Sequence, residues 1–419
     1  MKPINTLQYI VFFLILGLAS CADEVDDIFD ASAAERMNAA LGEYREILTA
    51  SPNGWVMEYY AEKEPEKMGG FVYLCSFSSD GRVTMATELE TAQAPKTQVI
   101  STYNLIADQG PVLTFDTYNE LFHILSEPRG SSDIDGYSGD YEFVVLEADP
   151  EKVILKGKKY GNKITMTPLS AGQSWNDYLD AVIEMVEMNY YPKYNIIVNG
   201  SKTGEANEDY DLRLFNFGSF SQNAVYTPTG LKFYEPVTLG GQEVQVFVWD
   251  NGQKAFVSSE DGTNVMLIGI LPENFRSYDD YIGTYSFDYI NFEGQRRSLT
   301  VELTAQGRSS YKINGSSGSF TYIVNYNHTT GGIYVTSQDV QEITEGTVFI
   351  ASLLKDNYLD GSTYYQYGGV MDINGRIAFR SNYPSSQHIG YIFLVDISGE
   401  LWLYSYEYSY TDLIMTKKQ

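Results

Sequence analysis

The chain has 419 residues, with 55 Asp or Glu against 28 Lys or Arg and a net charge of −27. That length exceeds what one hydrophobic core usually serves, and the charge excludes nucleic acid and anionic lipid headgroups as natural partners while leaving cations and neutral ligands such as glycans open. With 35 Tyr, 21 Phe and 36 Gly, the composition points to half-buried strands joined by tight turns.

The chain opens with Lys2, an apolar run from Tyr9 to Ala19, and the small-residue ending Leu18-Ala19-Ser20-Cys21. This pattern predicts a secretory signal over residues 1–20, shorter in its apolar part than the ~20 residues a bilayer span requires. Leu-Ala-Ser-Cys resembles a bacterial lipobox, which makes Cys21 the expected lipidation site. The alternatives are an ordinary secretory peptide with a chance Cys and an uncleaved membrane helix. Several acyl chains, at roughly 0.8 kcal/mol per buried methylene, give a long-lived anchor. Residues 21–32 then read as an acidic tether, beginning Ala22-Asp23-Glu24-Val25-Asp26-Asp27. Beyond Cys21 only Cys75 remains, so no internal disulfide forms. Cys75 alternates with Phe71, Tyr73 and Phe77, which predicts a buried, inert thiol.

Ser32 and Glu35 have the spacing of a helix capping box, followed by Met37, Leu41, Tyr44 and Leu48 on one face. We therefore expect an N-terminal helix over about 33–50, stopped by Pro52-Asn53-Gly54. From Trp55 the period changes to two, giving strands at 55–61, 70–78, 82–88, 98–106 and 112–116, a short helical segment at 118–125, and strands at 140–147, 152–157 and 163–168. Ser174 and Asp177 open a second helix with apolar face Trp175, Tyr178, Leu179, Val182 and Val186, ended by Pro192. Strands resume near 193–198, 210–217, 222–226, 231–234, 244–250, 254–258 and 264–270. Leu271-Pro272-Glu273-Asn274 reads as a linker, and a helix-free strand region follows from Tyr281.

Three stretches share a strand-turn-strand-turn-strand pattern, at 141–167, 244–268 and 391–416. Each has a further strand after Gly upstream, at Gly110, Gly230 and Gly332. The expected fold is thus mainly β: consecutive antiparallel modules, as sandwiches or barrel-like meanders, with an N-terminal helix and one connecting helix. The expected units are 33–170, 171–271 and 279–419.

No catalytic motif emerges. The histidines, His123, His328 and His388, have no partner at metal-binding spacing, and there is no nucleophile elbow or phosphate loop. With 55 acidic residues, carboxylate pairs carry no information. Asp133, Asp135 and Asp140 offer oxygen ligands to calcium, although the loop lacks the spacing and terminal Glu of an EF-hand and equally suits a Gly-rich turn. Trp402, Tyr404, Tyr406, Tyr408 and Tyr410 alternate, so as one strand they form an aromatic stripe. The stripe is either a ligand-binding platform or a core face, the other side carrying Ser405, Glu407 and Ser409.

Ser51-Pro52-Asn53-Gly54-Trp55, Tyr59-Tyr60, Gly69-Gly70-Phe71, Gly110-Pro111-Val112-Leu113-Thr114-Phe115, Gly139-Asp140-Tyr141-Glu142-Phe143 and Gly230-Leu231-Lys232-Phe233-Tyr234, behind a lipobox, resemble uncharacterised Bacteroidetes lipoproteins grouped as domain of unknown function 4302. The likeness runs to about residue 270. It implies an accessory partner of an outer-membrane TonB-dependent importer and its SusD-like protein in nutrient uptake, while the acidic run after Cys21, which resembles a Bacteroidetes surface-export signal, favours the outward face of the outer membrane over the periplasmic one. Our expectation is a non-enzymatic protein without a cofactor, binding a glycan or peptide. The alternatives are a carboxylate-based hydrolase and a structural or assembly lipoprotein without a small-molecule ligand.

Overall fold

The structure, a computed structural model, describes residues 31–62, 67–89, 94–108, 110–128, 136–189, 191–210, 212–307, 309–315, 321–344, 346–355, 358–382, 388–405 and 409–418. The signal, Cys21 and most of the acidic tether lie outside the described residues. What is described is mainly β, in antiparallel sheets.

Helix α1 (Ala33–Ala50) starts on the capping box, with the Glu35 backbone N–H donating to Ser32 Oγ (3.3 Å) and the Ser32 N–H donating to Glu35 Oε2 (2.9 Å). The strands that follow run β1 (Trp55–Glu62), β2 (Lys67–Phe77), β3 (Arg82–Thr87), β4 (Val99–Ala107), β5 (Pro111–Phe115), β6 (Glu142–Ala148), β7 (Val153–Gly157) and β8 (Lys163–Pro168). Each pairs with the next, and β1 pairs with both β2 and β8, which closes an eight-stranded up-and-down barrel. Alternate residues turn inward, among them Trp55, Met57, Tyr59, Tyr73, Cys75, Phe115 and Phe143. An eight-stranded barrel is just wide enough for side chains to fill, and this one is filled. The four-residue helix α2 (Glu120–His123) adds Phe122, whose ring meets Tyr59, Tyr73, Phe115 and Phe143 at centroid distances of 4.5–6.1 Å. The buried hydroxyls of Tyr59 and Tyr73 donate to the Asp140 and Leu121 carbonyls.

Helix α3 (Trp175–Met188) is capped by Ser174, whose side chain accepts from the Asp177 N–H. It leads into β9 (Lys193–Val198), β10 (Ser201–Asp209), β11 (Leu214–Asn216), β12 (Ser221–Thr227), β13 (Gly230–Leu239), β14 (Gln242–Asp250), β15 (Ala255–Ser258) and β16 (Val265–Ile270). These close a second eight-stranded barrel through β9 and β16. Helix followed by meander thus occurs twice, and in both units the helix lies against the fourth strand. The first two repeated stretches form the last three strands of each barrel. The strand expected at 210–217 is really β11 alone, and β10 was not foreseen.

The barrels touch where β2 meets β12 in parallel, Gly70 facing Val225. A Cβ on Gly70 would come within 2.6 Å of Val225, and one on Gly69 within 2.3 Å of Arg213. Arg213 crosses this contact. Its Nη1 and Nη2 donate to both oxygens of Glu88 (2.8 and 2.7 Å), and Nη1 also donates to the Gly70 carbonyl. The guanidinium lies over the Phe71 ring at 4.6 Å.

The third unit holds β17 (Gly283–Ile290), β18 (Arg296–Gln306), β19 (Ser310–Gly315), β20 (Thr321–Asn327), β21 (Gly332–Val335), β22 (Gln338–Ile343), β23 (Gly346–Leu354) and further strands to Lys417. Its sheet is open, ending on β22 and on Arg380–Ser381, and it folds around one aromatic core as a half-barrel. Tyr322 on β20 and Tyr391 on the distant His388–Ile397 strand meet hydroxyl to hydroxyl at 2.6 Å across that core. The segment entering this unit is pinned. Tyr326 donates its hydroxyl to the Arg276 carbonyl (2.6 Å), Tyr311 to Tyr278 (2.7 Å) and Tyr285 to Tyr281 (2.7 Å).

Candidate functional site

The aromatic stripe is not one strand. Trp402 belongs to the strand Glu400–Leu403, Tyr410 to the strand Ser409–Lys417, and Tyr406 and Tyr408 lie outside the described residues. Tyr410 is 4% exposed and meets Phe287, Tyr289 and Phe393 edge-on; Tyr404 packs against the same core, while Trp402 is 57% exposed. Trp402 stands opposite Val395 and Tyr410 opposite Tyr391, but of the two only Tyr410 is buried. Of the five rings expected to form the stripe, Tyr404 and Tyr410 thus belong to the core and Trp402 is exposed.

Asp133 and Asp135 lie outside the described residues. Asp140 is buried, and its Oδ1 accepts from the Lys159 N–H (2.8 Å) and the Tyr160 N–H (3.3 Å), holding the turn after β7. Burial raises its pKa while these N–H groups oppose the shift. Its carboxyl also lies where a side chain on Gly157 would go. Asp140 thus serves the first barrel. Among the described residues, no three His, Cys, Asp or Glu side chains gather as a metal site.

The barrel interiors are full, so room for a ligand lies outside them. A concavity of about 460 Å³ beside Asn53 and Trp175 is tied up by its own bonds. The Trp175 indole donates to the Asn53 carbonyl, and the Asn53 amide donates to the carbonyls of Ser170 and Gln173. A larger cleft, about 560 Å³, opens between the second barrel and the half-barrel. One wall is the end of β10, the turn after it and β11; the other is the end of β20 and the turn to β21.

This cleft is polar with aromatic inserts. Amides come from Asn207, Asn216, Asn325 and Asn327, and rings from Tyr210, Tyr326 and Tyr334. Tyr210 stacks on His328 across the two walls, with centroids 4.2 Å apart and planes 16° apart. Tyr326 meets the same imidazole edge-on at 4.9 Å. Burial pushes His328 down to about 4, so it is neutral at pH 7. The turn carrying it is stiff: Asn327 Oδ1 accepts from the N–H groups of Thr329 (3.0 Å) and Thr330 (2.9 Å). Gly331 follows at φ +67, where a Cβ would strike the Arg276 backbone at 2.7 Å, so only glycine fits.

At the base of the cleft, Glu208 turns into the second barrel. Its Oε1 accepts from the Tyr226 hydroxyl (2.6 Å) and its Oε2 from the Tyr194 hydroxyl (3.0 Å). Burial pushes the carboxyl up to about 7, against the pull of those two hydroxyls. Asp209, the next residue, points to the opposite face of the strand and is exposed, with Oδ1 accepting from the Leu212 N–H. The two acids therefore do not converge. Sequence reading missed this site, although the run Asn325-Tyr326-Asn327-His328, amides and rings alternating at a strand end, was a usable signal.

Two family models match the chain. One, described as a domain of unknown function (DUF4302), covers residues 25–251, and a second, described as a domain of unknown function (DUF4987), covers 258–376. The first ends just after β14 and the second starts at the last residue of β15, so the junction falls inside the second barrel. No curated protein matches. Among solved structures, the chain is similar to a protein of unknown function from the DUF3598 family of Nostoc punctiforme, at 8% identity, over 89% of this chain and 97% of that one, with a TM-score of 0.13. That score is too low to bear on fold or function.

Proposed function

This chain belongs to the family of domain of unknown function 4302, and from that premise we propose that it is a lipid-anchored, surface-exposed outer-membrane protein that binds a polar solute without transforming it. The observation that carries this reading is the cleft between the second barrel and the half-barrel. Its amides and hydroxyls suit the many hydroxyls of a glycan, and its rings suit a sugar face. The Leu18-Ala19-Ser20-Cys21 sequence supports the anchor, and the acidic residues after it support an outward-facing body. In this reading the bound solute passes to a TonB-dependent importer with its SusD-like protein, as the family resemblance implies.

The hydrolase reading has one observation in its favour, the proton held by Glu208 near neutral pH beside the cleft. It needs a second carboxyl facing the same bond, and Asp209 faces away. One experiment separates the readings. The detergent-solubilised full chain is titrated calorimetrically with oligosaccharides and short peptides, and the mixtures are analysed for cleavage. We expect oligosaccharide binding, no cleavage, and roughly fivefold weaker binding for Asn325→Ala, the loss of one hydrogen bond. Products appearing only with intact Glu208 would establish the hydrolase. Binding of neither ligand class would leave an assembly role. Separately, Cys21→Ala should move the protein from the membrane to the soluble fraction; retention in the membrane would refute the lipid anchor.

A further inference from the structure

The cleft does not stop at the β20–β21 turn. A second hollow of about 360 Å³ continues from it and shares Asn327 and Tyr334 as walls. The strand register explains the continuity. Asn325 on β20 stands opposite Tyr334 on β21, Tyr334 opposite Gly368, and Gly368 opposite Arg380. Directly opposed residues share a sheet face, so these four form one row across four strands, about 14 Å from end to end at the usual strand spacing. The inward residues Tyr326, Ile333 and Tyr367 fill the half-barrel core, which puts the row on its outer face.

The row is chemically graded. At the barrel end stand amides, with the exposed carboxylate Asp209 nearby. In the middle is the half-buried Tyr334 ring. At the far end is Arg380, exposed and the one charged residue lining the second hollow among the described residues. Between Tyr334 and Arg380 the floor is bare backbone, because a Cβ on Gly368 would lie 2.0 Å from the Ile333 carbonyl oxygen and no side chain fits. Beside Arg380, Gln366 and Asn382 are already fixed to each other: the Gln366 N–H donates to Asn382 Oδ1 (3.0 Å), and the Asn382 N–H to the Gln366 carbonyl (2.9 Å).

We propose that this row is an extended binding groove for a short acidic oligosaccharide, with one sugar stacked on Tyr334 and the carboxylate of a uronic acid paired with Arg380. The inference rests on the solute-binding reading of the cleft and adds the ligand's charge and direction. Arg is the side chain best shaped for a carboxylate, offering two parallel donors. The overall negative charge of the chain does not forbid an anionic ligand, since physiological salt screens charges beyond about 8 Å and leaves Arg380 to act locally.

The test uses the full chain in detergent, titrated with uronic-acid trimers and with the matching neutral trimers, in wild type and Arg380→Gln. Arg380 is exposed, so the variant should fold normally. Wild type is expected to bind the uronic trimers at least tenfold more tightly than the neutral ones. Arg380→Gln should remove that preference, so that acidic and neutral trimers bind alike. Equal affinity for both classes in wild type, or a preference that survives Arg380→Gln, overturns the proposal. If neutral and acidic trimers bind equally and Asn325→Ala weakens both, the solute-binding reading stands and this inference falls. If no trimer binds, this inference falls, while the solute-binding reading falls only if the short peptides fail to bind as well.

Discussion

Replacing Arg213 with Met should cost more stability than any surface change in the molecule. The guanidinium and Glu88 are 7% and 1% exposed as side chains, and the pair is bidentate. Met covers Phe71 almost as well as the Arg stem does, so lost packing is a small part of the cost. What remains is a buried carboxylate that has lost its bidentate cation and keeps the Val72 N–H at 3.1 Å. Removing one partner of a buried pair costs about 3–5 kcal/mol, or a drop of roughly 10 °C in melting temperature for a body of this size. Replacing both partners, as Arg213→Met with Glu88→Leu, removes the stranded charge and leaves neutral backbone groups, the Val72 N–H and the Gly70 carbonyl, without these side-chain partners, at about 1–3 kcal/mol. The double variant should therefore be more stable than the single one. Urea unfolding followed by Trp fluorescence measures both, since Trp55, Trp175 and Trp249 report on the two barrels. A single variant costing less than about 1 kcal/mol, or a double variant no more stable than the single, would refute the view of Glu88 as a dry, dependent charge.

Three other outcomes can be checked. Glu208 binds its proton more tightly folded than unfolded, with its pKa at about 7 against an ordinary 4.5, so stability should fall as pH rises from 4.5 to 7, by roughly 3 kcal/mol at most. Glu208→Gln should flatten that part of the pH–stability curve, and an unchanged slope counts against the assignment. Tyr410→Ala should destabilise by about 3–5 kcal/mol in thermal melts and Trp402→Ala by no more than about 0.5, with similar losses contradicting their different burial. Cys75 is fully buried and its thiol is pushed well above the usual range, so a maleimide should label it only after denaturant is added; labelling of the folded chain would place the thiol at the surface.

Local chemistry was the legible part of this fold. Ser32 with Glu35 and Ser174 with Asp177 announced both long helices, because capping needs only neighbours. Alternation around Cys75 correctly placed the thiol inside. Closure was not legible: β1 must pair with β8, more than a hundred residues on, and alternation is the same in a sandwich and a barrel. Strand β10 was missed because only Ala206 and Glu208 of its nine residues are buried, which leaves no apolar rhythm to read. The cleft was hidden for the same reason as the closure, since its walls, near Asn207 and near Asn325, are brought together only by packing between units. The run from Trp402 to Tyr410 is not one strand, since the strand carrying Trp402 ends at Leu403, and of its described rings Tyr410 is buried while Trp402 is exposed.

A ring of strands has no first or last member. Among the described residues the two barrels therefore have no edge strand, while the half-barrel sheet has several. One, Arg380–Ser381, is two residues long. At one end of the sheet, β22 carries Asp339 and Glu342, and two copies laid there rim to rim would bring like charges together. Molecules crowded side by side should thus resist sticking into fibrils, and any that do so should fray first at residues 338–343.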